Sequence, residues 1–224
     1  MALRLMLNRW LSQPVAKFVW FFASLLPVAW LLYAAWADLL GANPAEALVR
    51  STGDWTLRAL CLVLAITPIR VVFQMPTLAR FRRMAGLFVY AYGVLHLLAY
   101  AWFDMGFEVP DIARDIAKRP FILVGFLALM VLTPLAATSF NRAIRALGAR
   151  RWQRLHRAVY AVAALAVLHF FWMRAGKNNF LEVAVYASVL ATLLGWRWVR
   201  HVRTQSRAGL APDSALAGKN SGPV

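Results

Sequence analysis

The chain has 224 residues, of which 62% are hydrophobic and 15% are charged, and its formal net charge is +16. Soluble domains carry about 25% charged residues, so this composition favours one integral membrane domain over a soluble fold. The positive charge does not indicate nucleic-acid binding, because the basic residues lie beside apolar segments and not on a soluble module. The only cysteine, Cys61, excludes a disulfide within the chain and a Cys-x-x-Cys-His site for covalent haem.

Six apolar segments approach the length of about 20 residues that a helix needs to cross a bilayer. They are residues 15–36, 57–73, 84–103, 121–137, 158–173 and 180–198. Backbone groups in lipid must be hydrogen-bonded internally, and the alternating pattern of a β-barrel is missing. The sequence therefore predicts an all-α integral membrane protein, a six-helix transmembrane bundle within residues 1–203. The first segment exceeds the roughly 7–15 apolar residues of a signal peptide and is expected to be a retained anchor.

The distribution of charge predicts that both termini are cytoplasmic. One side of the predicted bundle carries most of the basic residues, including the pairs Arg82-Arg83 and Arg150-Arg151, and the other side carries nearly all the acids. Residues 104–119 then face outward and are expected to contain a short surface helix. The polar tail, residues 204–224, is expected to be a disordered cytoplasmic segment.

Two histidines lie inside predicted spans, His96 in the sequence VLHL and His169 in VLHF. An ionisable side chain within lipid is costly and usually functional. Counted from Arg83 and Arg157 at 1.5 Å per residue, both lie roughly 18–20 Å from the cytoplasmic edge. Two imidazoles at one depth on helices that run the same way can ligate one haem iron from opposite faces. The alternative is two unrelated buried histidines, each hydrogen-bonded to a neighbouring helix.

The role of His156, in the sequence WQRLHR, stays open at this level. It lies at the cytoplasmic end of the fifth predicted span, and three roles are compatible with that position: ligand of a second haem, contact of a haem propionate, or end of an interfacial helix. The matching depth on the third span is occupied by Arg82, which is a poor metal ligand because it remains protonated. Arg82 is instead a candidate cofactor-binding residue: it, Arg83, Arg150, Arg151 or Arg154 could contact a haem propionate or a flavin phosphate near the cytoplasmic face. The alternative is that these arginines serve only topology and contact with lipid headgroups. His201 lies in the basic C-terminal region and is expected to be solvated.

A weak internal repeat relates spans two and three to spans four and five. Thr67-Pro68 and Thr133-Pro134 end the second and fourth spans, and each is followed by a basic loop and a span that contains Val-Leu-His. Two related hairpins are the prediction, and chance similarity between leucine-rich helices is the alternative. The sequence has no dinucleotide-binding glycine motif and no Walker motif, so any electrons must come from a lipid-soluble donor or another protein.

These segments resemble the ferric-reductase-like transmembrane family over nearly all six spans. The most specific matches are RRMAGL at residues 82–87, leading to His96, and WQRLHR at 152–157, leading to LHFFW at 168–172. NADPH oxidases and other members carry two histidines on each of the third and fifth helices. This chain has the outer pair, His96 and His169, and the inner His156, with Arg82 where the fourth would stand. The flavin and nicotinamide domain of those oxidases is absent.

The resemblance is strongest to the haem-binding membrane subunits of periplasmic methionine-sulfoxide-reducing systems. It implies a multi-pass protein of the bacterial inner membrane that binds haem b, with a second haem left open, and that is associated with FMN. Such a subunit takes electrons from the quinone pool or a flavin donor. It passes them to a periplasmic molybdopterin-containing catalytic subunit that repairs oxidised periplasmic proteins. The chain itself is then an electron-transfer subunit and not the catalytic one.

Two alternative functions are a self-standing metal reductase and a transporter. A self-standing transmembrane ferric or metal reductase is disfavoured because the chain has no nicotinamide domain. A transporter whose intramembrane histidines bind a metal or a proton would be expected to have intramembrane carboxylates, and none of the six predicted spans has an acid at its centre.

Overall fold

A computed structural model describes residues 2–176, 178 and 180–209 of the chain, and these residues form an all-helical fold. The α-helices are α1 Ala2–Ser12, α2 Pro14–Trp36, α3 Pro44–Val72, α4 Arg82–Ala99, α5 Val109–Lys118, α6 Pro120–Ala137, α7 Asn141–His156, α8 Val159–Ala175 and α9 Leu181–Gly209. A 3₁₀ helix, Pro76–Phe81, precedes α4, and a π-helical turn, Tyr100–Asp104, follows it. The predicted all-α class is confirmed.

Within the described residues, five helical stretches are long and apolar enough to cross a membrane. They are Pro14–Trp36, Pro44–Val72, Pro76–Asp104, Pro120–Ala137 and Asn141–Ala175. They contain the first five predicted spans. The sixth, residues 180–198, lies in α9, which is not among the five stretches. That α9 crosses the membrane stays a prediction, as does the cytoplasmic location of both termini.

The second span begins earlier than the sequence predicted. It was expected at residue 57, whereas α3 starts at Pro44. The Asn43 side chain accepts a hydrogen bond from the backbone N–H of Glu46 at 3.1 Å, and proline suits the first helical position because its missing N–H needs no partner there. This capped start adds about three turns to the helix, and those turns form the wall that faces His96.

The bundle is polar at its two ends and apolar between them. The acidic end carries Asp38, Glu46, Asp54, Asp104, Glu108, Asp111, Asp115 and Glu182; the arginine end carries Arg70, Arg82, Arg83, Arg154 and Arg197. Between the ends, α3, α4 and α8 meet through Leu60, Leu64, Val89 and Val162, which are almost fully buried. By contrast α2 is apolar but mostly exposed, as expected of a helix that faces lipid.

Two helices lie outside the apolar bundle. The predicted surface helix between residues 104 and 119 is α5, which has no buried residue. The basic loop expected after the fourth span forms a helix instead, α7, bent where Gly148 takes φ 74° and ψ 155°. Alanine, arginine and leucine all favour helix, which explains why this basic segment is ordered. Arg83 Nη1 donates a hydrogen bond of 2.5 Å to Asn141 Oδ1, which holds the start of α7 against α4.

The first residues of the predicted tail are helical. Residues 204–209 continue α9, with the hydroxyl groups of Thr204 and Ser206 donating to carbonyl oxygens four residues earlier. No proline interrupts the helix in this stretch, so little opposes its continuation. The rest of the predicted tail, residues 210–224, lies outside the described residues.

Candidate functional site

The structure brings the two intramembrane histidines together. His96 on α4 and His169 on α8 have ring centroids 6.2 Å apart, with their planes at 69°. The helices run in the same direction, and the two side chains meet between α3 and α6. The pair lies nearer the acidic end of the bundle, where His96 is followed within a turn by the π-helical turn at Tyr100–Asp104.

One nitrogen of each ring is engaged by a helix backbone. His96 Nδ1 lies 2.9 Å from the carbonyl oxygen of Val49 on α3, and His169 Nδ1 lies 2.6 Å from that of Phe121 on α6. A carbonyl oxygen only accepts, so Nδ1 must carry the proton and the lone pair is on Nε2. Within the described part of the chain, no hydrogen bond involves Nε2 of either ring. Both rings therefore have the tautomer that a metal ligand requires.

A glycine lies against each histidine ring. A Cβ atom built on Gly53 of α3 would lie 3.0 Å from His96 Cε1, and one built on Gly125 of α6 would lie 2.8 Å from His169 Cε1 and Nδ1. Real Cβ atoms essentially never come closer than 3.0 Å to such atoms. The rings thus occupy space that any other residue at these two positions would fill.

The histidines line a large cavity of about 600 Å³ between α3, α4, α6 and α8. This volume is within the range of about 300–1,000 Å³ for pockets that hold cofactors and small ligands. Its walls are mainly apolar, and its rim at the acidic end is charged. The charged rim residues are Glu46, Arg50, Asp54, Asp104 and Arg119. Arg50 pairs with Glu46 at 2.5 Å, and Arg119 pairs with Asp115 at 2.8 Å.

The histidine pair fits a haem ligated on both faces. A metal–imidazole bond of about 2.0–2.1 Å, as zinc makes, plus about 1.1 Å to the ring centre places two opposed imidazoles roughly 6 Å apart. The observed centroid separation is 6.2 Å. The bare Nε2 atoms, the spacing and the cavity volume together agree with a porphyrin held between His96 and His169.

A small cavity of about 290 Å³ lies at the arginine end. Arg82 and His156 both line it, with Arg70, Arg83 and Trp152. His156 stacks on Trp152 with ring centroids 3.9 Å apart.

His156 is hydrogen-bonded differently from His96 and His169. Its Nε2 lies 3.1 Å from the hydroxyl of Thr138, and that hydroxyl donates to the Pro134 carbonyl oxygen at 2.7 Å. Nε2 is therefore the donor, which leaves His156 in the tautomer opposite to that of His96 and His169. Arg82 and His156 thus share a cavity with each other and not with the histidine pair.

Arg197 of α9 is a partly buried cation at the arginine end. Its Nη2 donates to the Leu64 carbonyl oxygen at 2.6 Å, while Nε and Nη1 are buried and have no hydrogen-bond partner among the described residues. It lies over the ring of Tyr160 at 5.6 Å and interacts electrostatically with Arg82. Among the described residues the arginine end has no aspartate or glutamate, so these cations have no acidic partner there.

A thin apolar partition separates the two cavities. Leu60, Val89 and Leu132 line both of them, and all three are buried. The cavities are therefore stacked along the bundle, one layer of side chains apart. Neither this partition nor the roles of the glycines at 53 and 125 can be recognised from the sequence pattern. Each glycine lies more than 40 residues before its histidine, and only knowledge of which helices face each other would have revealed the pairing.

Comparison with known proteins supplies the family. Residues 52–167 match the model of the ferric reductase like transmembrane component. A relative from Polaromonas naphthalenivorans is 70% identical over 87% of this chain and 89% of its own length. Relatives from Herminiimonas arsenicoxydans and Caulobacter vibrioides are 46% and 43% identical over similar shares. Each is named as the haem-binding subunit MsrQ of a protein-methionine-sulfoxide reductase. No solved structure matches the chain.

Proposed function

We propose a function from this premise: the chain belongs to the ferric-reductase-like transmembrane family and, within it, to the MsrQ haem-binding subunits of protein-methionine-sulfoxide reductases. It is a membrane b-type cytochrome that passes electrons to a partner subunit that reduces methionine sulfoxide. The observation that carries the proposal is the pair of imidazoles, centred 6.2 Å apart, whose Nδ1 atoms are held by helix carbonyls in one cavity.

His96 and His169 are the residues that would hold the haem iron. A haem held by these two residues would supply one-electron chemistry, and with His96 and His169 both engaged as ligands oxygen chemistry would be disfavoured. The Val49 and Phe121 carbonyl oxygens keep the proton on Nδ1 and so keep Nε2 available. The walls of the large cavity around the two rings are mainly apolar.

The distribution of charge supports a direction across the bacterial inner membrane. Arginine-rich ends face the cytoplasm in most membrane proteins, so the acidic end, with the large cavity, faces the periplasm. A periplasmic molybdopterin-containing catalytic subunit then docks at that end and receives the electrons. This chain is the electron-transfer subunit, and the catalytic chemistry belongs to its partner.

The small cavity is proposed to hold FMN at the cytoplasmic side. Arg70, Arg82 and Arg83 line it, and guanidinium groups suit a phosphate because they can donate two parallel hydrogen bonds. A second haem has less support, because the only imidazole among the described lining residues, His156, has no opposed ligand and uses Nε2 for Thr138. Electrons enter from quinol in the membrane or from a cytoplasmic flavin donor. Among the described residues, only Leu60, Val89 and Leu132 would separate groups bound in the two cavities.

The haem proposal is tested by absorbance spectra of the purified protein. The dithionite-reduced protein should show a low-spin b-haem spectrum, and this spectrum should be lost in His96→Ala and His169→Ala because each removes one ligand. His201→Ala is the matched control, since His201 is exposed on α9 and interacts only with Gln205 among the described residues. A folded wild-type protein without haem would refute the proposal, and so would an unchanged spectrum in both alanine variants.

A further inference from the structure

We propose that Gly53 and Gly125 are positioning residues that expose the two carbonyl oxygens to which the histidines bind. We call each one a glycine window, defined by a carbonyl and the glycine four residues later: Val49 with Gly53 on α3, and Phe121 with Gly125 on α6. The proposal rests on His96 and His169 being the haem ligands and adds what sets their tautomer and their strength as ligands.

Helix geometry explains why the residue must be glycine. Every Cα–Cβ bond in an α-helix tilts toward the N-terminus, so a side chain covers the turn before its own Cα. The carbonyl oxygen of residue i−4 lies in that turn, where it accepts the N–H of residue i. A Cβ at position 53 would therefore stand over the Val49 carbonyl, on the path that the His96 ring takes to reach it. Glycine leaves the oxygen open to a second donor.

The distances show that the histidine ring packs more closely against Gly125 than against Gly53. At Gly125 the built Cβ would lie 2.8 Å from both Cε1 and Nδ1 of His169, and the hydrogen bond behind it is 2.6 Å. At Gly53 the corresponding distances to His96 are 3.0 Å and 3.2 Å, and the hydrogen bond is 2.9 Å. A methyl group at 125 must displace the ring, while one at 53 requires a smaller shift.

The arrangement occurs twice, on separate helix pairs. In each, the carbonyl belongs to the helix that precedes the histidine helix in the predicted hairpin repeat, and the glycine follows it by four residues. The sequence separation between carbonyl and histidine is 47 residues in one copy and 48 in the other. Each histidine therefore combines an Nδ1 hydrogen bond to a helix carbonyl with a missing Cβ beside its ring, and the combination occurs at both histidines.

The chemical consequence is control of the imidazole as a ligand. An Nδ1–H that donates to a carbonyl oxygen fixes the tautomer and raises the basicity of Nε2. A more basic ligand favours the more positively charged, oxidised iron and so lowers the reduction potential. Loss of such a partner typically costs about 10–100-fold in affinity for the metal. Closing a window should weaken haem binding and move the potential in the positive direction.

The test compares Gly125→Ala and Gly53→Ala with Gly195→Ala in the purified, haem-loaded protein. Gly195 is a helical glycine of α9 whose built Cβ meets nothing within 4 Å, so it controls for the glycine-to-alanine change itself. Haem content, the electron paramagnetic resonance signal of the low-spin iron and the midpoint potential are measured. We expect the midpoint potential to rise and the haem content to fall, more in Gly125→Ala than in Gly53→Ala. Both quantities should be unchanged in Gly195→Ala. If Gly125→Ala does not fold, the comparison of Gly53→Ala with Gly195→Ala tests the proposal.

A second measurement uses haem-free protein labelled with ¹⁵N at the histidine rings. The wild-type chain should show His96 and His169 as Nδ1–H tautomers by nitrogen chemical shift, with each signal assigned from its alanine variant. Each window variant should lose that tautomer at its own histidine only. Unchanged tautomers together with unchanged potentials would overturn the window proposal even if the protein binds haem. Absence of haem from the wild-type protein would overturn the proposed function instead. The tautomer measurement would still test whether the glycine windows set the tautomers of His96 and His169.

Discussion

At the scale of single residues, the arginine end concentrates positive charge that the described chain does not neutralise. Arg82 lines the small cavity, and Arg197 has two buried nitrogens without an acceptor. The Arg82 side chain is exposed, whereas the two Arg197 nitrogens have lost hydration without an acceptor among the described residues, which is unfavourable. Such a cluster is stable when an anion binds to it, and the phosphate of FMN is the anion that the proposed function supplies.

The first prediction concerns Arg82. Arg82→Gln should lower the FMN content of the purified protein by about 10-fold or more, since a hydrogen bond to a charged group contributes about 1.5–3 kcal/mol. FMN released by denaturation is quantified by fluorescence and compared with haem from the same sample. The large cavity does not include Arg82, so haem should be retained.

Arg145→Gln is the matched control for this change. Arg145 is exposed on α7 and does not line the small cavity, so its loss removes one positive charge from the same end without touching the site. Full FMN content in Arg82→Gln, or an equal loss in both variants, would contradict a specific role for Arg82.

At the scale of elements, α7 links the basic surface to the small cavity. Its start is tied to α4 by the Asn141–Arg83 hydrogen bond, and its last turns place Trp152 and His156 in the cavity wall. The bend at Gly148 lets this one short helix contact α4 at its start and line the small cavity at its end. With φ 74° and ψ 155°, Gly148 lies in a region that is essentially restricted to glycine and costs other residues about 1–3 kcal/mol.

Gly148→Ala should therefore displace the second half of α7 and weaken FMN binding. A cost of about 1.4 kcal/mol corresponds to a tenfold higher dissociation constant, and FMN titration of the purified protein measures it. Gly195→Ala, at a helical position in open space, should bind FMN as wild type does. If the dissociation constant of Gly148→Ala matched that of wild type, the small cavity would not depend on the bend.

At the scale of the whole molecule, charge separates the two ends of the bundle and predicts its orientation. The native Cys61 lies within α3, and replacing it by serine leaves a chain without thiols. Glu108 lies before α5 at the acidic end, whereas Arg145 on α7 and Gln205 on α9 lie at the arginine end, and all three are exposed.

Single cysteines at these positions report the topology in intact cells. In the Cys61→Ser background, Glu108→Cys should react with a membrane-impermeant maleimide from the periplasm. Arg145→Cys and Gln205→Cys should react only after the inner membrane is permeabilised, because the arginine end is predicted to face the cytoplasm. Labelling of Gln205→Cys from the periplasm would show that α9 does not cross the membrane. Protection of Glu108→Cys with exposure of Arg145→Cys would reverse the whole orientation.

Much of the architecture followed from sequence because lipid imposes strong rules on composition. Apolar length predicted the helical class and the first five spans, and counting residues from basic boundaries predicted that His96 and His169 share one depth. Both inferences depend only on distance along a helix axis, which the rise per residue determines. Family membership was predicted from the motifs around these histidines and is confirmed by the comparisons.

Other features depend on how each helix is rotated about its axis and which neighbour it faces, and only the tertiary structure decided them. Depth along a span does not reveal that the carbonyl oxygens of Val49 and Phe121 accept from the histidines, or that Gly53 and Gly125 make room for the rings. It also does not reveal that Arg197 donates to the Leu64 carbonyl oxygen. The early start of α3 at Pro44 was also missed, because its first turns are polar and do not raise the apolar signal. Sequence thus determined where along the bundle the histidines lie, and packing determined what holds them there.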